Sequence, residues 1–196
     1  MFTGIIETLG TVTKIEREQT NMHLYIQSSL SPELKIDQSV SHNGVCLTVV
    51  EINGEIHKVT AIEETLQKTN LSDLQEGQSV NIERCTVANG RFDGHIVQGH
   101  VDQTARCISK EDHDGSWLFT FQYDPSLHNI TVEKGSISVN GISLTVVNSQ
   151  DDRFSVAIIP YTIDHTNLKH VNIGTRVNLE FDIIGKYIAK IMALKN

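Results

Sequence analysis

Along most of the chain, hydrophobic and polar positions alternate in short runs closed by Gly, Asn or Asp, at roughly ten-residue intervals, a pattern of half-buried strands in a sandwich or barrel. Asn43-Gly44 and Asn140-Gly141 each stand between two β-rich runs. An Asn-Gly pair there predicts a two-residue hairpin, because a type I′ turn needs two positive φ angles. That loop length also predicts register: His42 opposite Val45, Ser41 opposite Cys46, Val40 opposite Leu47 and Ser39 opposite Thr48. Strand side chains alternate, so Ser39, Ser41, Cys46 and Thr48 share one face and Val40, Val45 and Leu47 the other. The second hairpin places Ser136, Ser138, Ser143 and Thr145 opposite Ile137, Val139, Ile142 and Leu144. Asn53-Gly54 predicts a further turn, with Asp151-Asp152 in its place later, and Leu71–Gly77 and Leu168–Gly174 read as connections holding a single helical turn. Only the tail, 185–194, has helical spacing, with Ile188, Ile191 and Met192 on one face; so short a helix must pack on something.

The chain repeats itself. Residues 42–85 lie over 139–182 at a constant offset of 97, with 16 of 44 positions identical, including Asn43/Asn140, Thr65/Thr162, Asn70/Asn167 and Glu83/Glu180. Gly4-Ile5-Ile6-Glu7 matches Gly99-His100-Val101-Asp102 at an offset of 95. Two copies of one module are therefore expected, 1–97 and 98–186, followed by a helix over 187–196; with no Pro- or Ser-rich linker between them, the copies should pack closely. A small polar face kept in both copies suits two similar flat heteroaromatic ligands with carbonyl and ring-nitrogen edges.

Composition narrows the partners. The 22 Ile, 17 Val and 17 Thr against 6 Ala favour an all-β fold. A net charge of −8 with scattered Lys and Arg disfavours nucleic acid and anionic membranes, and neither a membrane-spanning run nor an N-terminal signal is visible. Cys46, Cys85 and Cys107 are odd in number and lack Cys-x-x-Cys spacing, which points to a reducing, cytoplasmic setting. His95 and His100, five apart, would face opposite ways on a continuous strand, so no metal site is expected. Phosphate-loop, dinucleotide and serine-hydrolase motifs are lacking, and no cofactor is expected.

Together these features resemble the riboflavin synthase family of duplicated lumazine-binding enzymes. The resemblance rests on the opening Met1-Phe2-Thr3-Gly4-Ile5-Ile6-Glu7, on Asn43–Val49, on Glu64-Thr65-Leu66 with Thr69-Asn70-Leu71, and on Asn81–Arg84. It continues through Gly94-His95, Gly99–Asp102, Lys134-Gly135-Ser136, Gly141–Thr145, Ile159–Thr162 and Asp182–Tyr187, and departs at Cys85, Asp93 and Gln98. It implies two six-stranded Greek-key barrels and a homotrimer joined through the C-terminal helix, with sites between subunits and lumazine synthase as an associated protein. It implies that two molecules of 6,7-dimethyl-8-ribityllumazine dismutate by four-carbon transfer to riboflavin and 5-amino-6-ribitylaminouracil. Carried over, Gly4, Ile5, Ile6, Ser39, Cys46, Leu47, Thr48, Thr60, Ile62 and Thr65 line a first pocket. Lys134, Ser143, Leu144, Thr145, Ile159 and Thr162, with His100, line a second. His100 becomes the candidate proton carrier, Ser143 and Thr145 with backbone N–H groups the stabilisers of ring charge, and Cys46 or a water the group that adds to the acceptor ring. The competing expectation is a related carrier that binds lumazine or flavin without turnover.

Overall fold

The computed structural model describes residues 1–194; Lys195 and Asn196, the end of the expected 187–196 helix, lie outside them. Twelve strands form two closed antiparallel barrels. The first contains β1 (Thr8–Glu18), β2 (Asn21–Gln27), β3 (Ser39–His42), β4 (Val45–Asn53), β5 (Ile56–Ala61) and β6 (Ser79–Arg84), in the order β1-β2-β5-β4-β3-β6. The second contains β7 (Gln103–Asp112), β8 (Trp117–Gln122), β9 (Ser136–Val139), β10 (Ile142–Val147), β11 (Arg153–Ile158) and β12 (Arg176–Phe181), in the equivalent order. This is the expected all-β fold of two six-stranded barrels.

Both hairpin registers agree residue for residue with the expectation, from Ser39↔Thr48 to His42↔Val45 and from Ser136↔Thr145 to Val139↔Ile142. Asn43 and Gly44 have φ of 49° and 79°, and Asn140 and Gly141 of 47° and 82°, as the type I′ turn demands. Val40, Val45 and Leu47 are buried with Met22, Leu24, Ile26 and Ile82 in the first barrel. The second is filled with larger rings, Phe119, Phe121 and Phe154.

Two short helices carry no periodicity visible in the sequence, α1 (Glu63–Lys68) and α2 (Pro160–His165). Six residues are fewer than two turns, too few to show a 3.6-residue period. Pro160 at the first helical position was the local sign of α2. The tail helix α3 runs Ile183–Ala193, earlier than expected, because the Asp182 carboxylate caps it by accepting from the Ile184 N–H. No helix among the described residues is long and apolar enough to cross a membrane.

The barrels meet about a pseudo-twofold axis where the two turns touch; a Cβ placed on Gly44 would lie 2.7 Å from the Gly141 nitrogen. Ser41 and Ser138, the inner members of the two hydroxyl faces, are buried, and a Cβ at Gly141 would lie 3.4 Å from Ser41 Oγ. Around the axis lies a buried set of asparagines: Asn43, Asn70, Asn81, Asn140, Asn167 and Asn178. The Asn81 and Asn178 N–H groups donate to the side-chain oxygens of Asn43 and Asn140, both at 2.8 Å. Across the interface, the Asn81 side chain donates to the Asn140 carbonyl at 2.9 Å, and that of Asn178 to the Asn43 carbonyl at 2.8 Å. Asn81 Oδ1 also accepts from the Asn167 N–H at 2.7 Å. Asn81→Ala thus strands a buried acceptor and a buried donor and is expected to cost about 2–4 kcal/mol in denaturant unfolding. A cost under about 0.5 kcal/mol, the range of neutral surface changes, would mean the network does not join the barrels.

Candidate functional site

The outer members of each hydroxyl face are the ones left open. Ser39, Cys46, Ser136 and Ser143 are half-buried, while Thr48 and Thr145 are exposed. Beside the first set stand α1, with half-buried Thr65, and Ile62 at its N-cap, 54% exposed. Beside the second stand Thr162 on α2 and Ile159, 59% exposed. The Thr65 and Thr162 carbonyls accept from the hydroxyls of Thr69 and Thr166 at 2.7 and 2.6 Å, which ties each helix to the following turn. Each barrel thus carries, on its outer surface, a small polar floor with an apolar isoleucine at its edge.

A leader segment closes each floor, and the leaders are exchanged relative to the expectation. Gly4, Ile5 and Ile6, assigned from sequence to the first pocket, lie on the second barrel: the Gly4 carbonyl accepts from Ser143 N–H at 2.8 Å, and Ile6 packs on that barrel's core. His100, assigned to the second pocket, belongs to the leader of the first. The Gly99 carbonyl accepts from Cys46 N–H at 2.9 Å, and Val101 packs on the first core. The crossed leaders also pair with each other. Phe2 and Val97 form an antiparallel bridge with N–H to carbonyl distances of 2.7 and 3.1 Å, and Phe2 is wholly buried. Both approaches need glycine. With φ of 79° and 83°, a side chain at Gly4 or Gly99 would be strained, and its Cβ would sit 2.6 Å from that of Ser143 or Cys46.

At the second barrel this leaves a cavity of about 480 Å³, bounded by Gly4, Ile5, Ile6, Ser143, Tyr161 and Thr162, a volume that suits a small bicyclic ring. His95, whose spacing from His100 speaks only to a metal site, stands at this floor. Its Nδ1 lies 2.6 Å from Ser143 Oγ, and its backbone N–H donates to the Thr3 carbonyl at 3.0 Å. Burial pushes its imidazole pKa down while the nearby Asp182 carboxylate pulls it up; burial prevails, so the ring is held neutral. The position-by-position likeness of Gly94-His95 to the family pattern was the signal available for it.

Other expected residues fall differently. Leu47 is a core residue of the first barrel, whereas Leu144, half-buried, packs against the core of the second and also borders the cavity there. The Thr60 hydroxyl is engaged by His23 Nδ1 at 2.9 Å. Lys134, exposed and at a φ of 64°, stands in the loop before β9, where its N–H donates to the Val146 carbonyl at 2.9 Å. His100 is exposed, and its N–H is held by Glu180 at 2.8 Å. Burial is the main cause that pushes the Cys46 thiol pKa up, which keeps it protonated near neutrality. It stands there as a thiol rather than a thiolate.

The chain's relatives share this plan. The family profile Lumazine binding domain matches residues 3–85 and again 98–182. Riboflavin synthase of Bacillus subtilis (strain 168) is 40% identical over 197 residues, spanning 100% of this chain and 92% of that protein. Riboflavin synthase of Actinobacillus pleuropneumoniae is 41% identical, spanning 100% and 91%. Among solved structures, LumP complexed with riboflavin superposes with a TM-score of 0.85 at 22% identity, covering 92% of this chain and 99% of LumP. LumP complexed with 6,7-dimethyl-8-(1'-D-ribityl) lumazine gives 0.83 at 21% identity, covering 92% and 98%. The two matches to one domain, in register with two barrels that each carry the same floor, show that the chain belongs to the riboflavin synthase family of duplicated lumazine-binding proteins.

Proposed function

We propose that the chain is an enzyme that converts two molecules of 6,7-dimethyl-8-ribityllumazine into riboflavin and 5-amino-6-ribitylaminouracil by transfer of a four-carbon unit. One observation carries the reading: the polar floor, the edge isoleucine and the closing leader occur twice, once per barrel, as a reaction between two like molecules requires. The relatives near 40% identity are named riboflavin synthases, whereas LumP, named in its structures for what it is complexed with, stands at 21–22%. Binding both reactants face to face converts a rare encounter into a local one, a large part of the barrier.

In this reading the chain's own groups handle protons and hold the rings. At the second floor, neutral His95 accepts the Ser143 hydroxyl proton, or one passed through it from the substrate's acidic methyl group, and Asp182 steadies the cation that results. At the first floor, Cys46 and Thr48 donate to a ring edge, and His100 stands at the rim. Ser39, Ile62 and Thr65 complete the first site, and Lys134, Thr145, Ile159 and Thr162, with Gly4, Ile5 and Ile6, the second. In this reading no metal, nucleotide or reductant takes part. Purified protein given the lumazine alone, without metal, nucleotide or reductant, is expected to consume it; a carrier would hold it unchanged.

The proposal includes a cytoplasmic homotrimer of chains, each made of units 1–97 and 98–186, with sites shared between subunits and α3 as the joint. Its support is the bare apolar face of α3: Ile184, Tyr187, Ile188, Ile191 and Met192 are all more than half exposed. An isolated amphipathic helix of this length is marginal, so a partner surface must stabilise it. Ile188→Asp with Ile191→Asp is expected to shift the native mass from about three chains to one while the barrels stay folded, since a charge on that face costs several kcal/mol once buried. An unchanged mass would remove α3 from the joint. Association with lumazine synthase belongs to the same proposal, and co-purification from a common source tests it.

A further inference from the structure

We infer that Glu83 and Glu180 are positioning residues with crossed roles: each barrel's buried carboxylate holds the leader that closes the other barrel's site. Glu83 is on β6 of the first barrel. Its Oε1 accepts from Thr3 N–H at 2.7 Å and from the Thr3 hydroxyl at 2.9 Å, and its two oxygens accept from Gly4 N–H at 3.2 and 3.0 Å. The same Gly4 receives Ser143 N–H of the second barrel on its carbonyl. Glu180, on β12 of the second barrel, accepts from Gln98 N–H at 2.6 Å and from Gly99 and His100 N–H groups at 2.8 Å each. The same Gly99 receives Cys46 N–H of the first barrel.

Both carboxylates are 3–4% exposed and lack a cationic side chain within hydrogen-bond reach among the described residues. A buried carboxylate satisfied almost wholly by backbone N–H groups costs desolvation that a purely packing role would not require. What the two gain is a fixed leader, because a carboxylate accepts on both oxygens and carries charge, whereas an amide accepts on one oxygen and presents donors at the other position. Placing Gln at either position turns one oxygen into an NH2 group facing backbone donors, which frees the leader without changing side-chain volume.

The inference deepens the proposed function, since the held segments close the sites assigned to the lumazines, yet its test needs no turnover. Cys46 lies under Gly99, and Ser143→Cys supplies a matching thiol under Gly4. Alkylation of each thiol by a small maleimide is followed by peptide mass spectrometry. Rates are expressed per thiolate from their pH dependence, because the Glu180 charge itself raises the Cys46 pKa. Glu180→Gln is expected to speed alkylation of Cys46 by about tenfold and to leave the rate at the thiol introduced by Ser143→Cys within about twofold; Glu83→Gln does the reverse. Acceleration on the same barrel, on both thiols equally, or on neither overturns the assignment. Should a Gln variant fail to fold, amide hydrogen exchange of the unaltered chain decides. Thr3, Gly4, Gln98, Gly99 and His100 are expected to be protected like the barrel strands, and exchange at open-loop rates at these amides overturns it.

Discussion

Replacing His95 with Gln is expected to lower riboflavin formation by about 10²- to 10⁴-fold, the usual worth of a positioned general base. Gln keeps a hydrogen-bonding group near Ser143 Oγ, at present 2.6 Å from the imidazole, and leaves the Gly4 to Ser143 backbone contact in place. Ring binding should therefore change little, and the loss should fall on kcat rather than KM. Ser143→Ala should cost a similar factor, and the double variant no more than the worse single one, because the two groups act as a unit. Near-normal turnover of His95→Gln would end the dyad's role. His100→Gln separates the two histidines: His100 is exposed and held through its backbone, so full turnover in that variant would exclude it as proton carrier.

The largest expected effect on stability is acid-dependent and confined to the first barrel. His42 and His57 are wholly buried with their Nε2 atoms 2.8 Å apart. His42 Nδ1–H donates to the Val40 carbonyl at 3.2 Å, so its Nε2 must accept from His57, whose Nδ1 accepts from the Ser31 hydroxyl at 2.8 Å. Both rings are neutral in this arrangement. Burial, with the neighbouring His57 as a second cause, lowers His42 from 6.5 to about 3, and burial lowers His57 to about 4. Between those values and 6.5 the unfolded chain binds more protons than the folded one, so stability is full above about pH 6.5 and falls as pH falls. Two such groups give a slope of up to about 2.7 kcal/mol per pH unit. The second barrel suggests the control, since Val139 and Phe154 occupy the equivalent positions. His42→Val with His57→Phe is expected to flatten the loss between pH 6.5 and 4, and an unchanged acid slope by chemical denaturation would place the lability elsewhere.

The same pair shows what the chain made legible and what it did not. The duplication and two Asn-Gly turns were enough to state both hairpin registers and both polar floors, because a type I′ loop leaves one pairing and strand alternation leaves one face. His42 and Ser41 were placed correctly in register, yet nothing local says that His42 meets His57 or that Ser41 abuts Gly141; those are contacts across a closed barrel and between barrels. The six asparagines all recur at the repeat offset of 97, a sign of shared purpose, but buried polar networks are recognisable only once their partners are in space. The exchange of leaders was hidden for a different reason. Gly4 and Gly99 could reach either barrel along the chain, and the choice is made by Glu83, Glu180 and the Phe2–Val97 bridge, all distant in sequence.

Two ring sites in one chain serve one reaction between like molecules. The direct measurement is a product balance: purified protein is incubated with 6,7-dimethyl-8-ribityllumazine alone, and lumazine, riboflavin and 5-amino-6-ribitylaminouracil are quantified together to completion. One riboflavin and one uracil are expected for every two lumazines consumed. Tight binding of the lumazine with no loss of it, or riboflavin formed without the matching uracil, would contradict it.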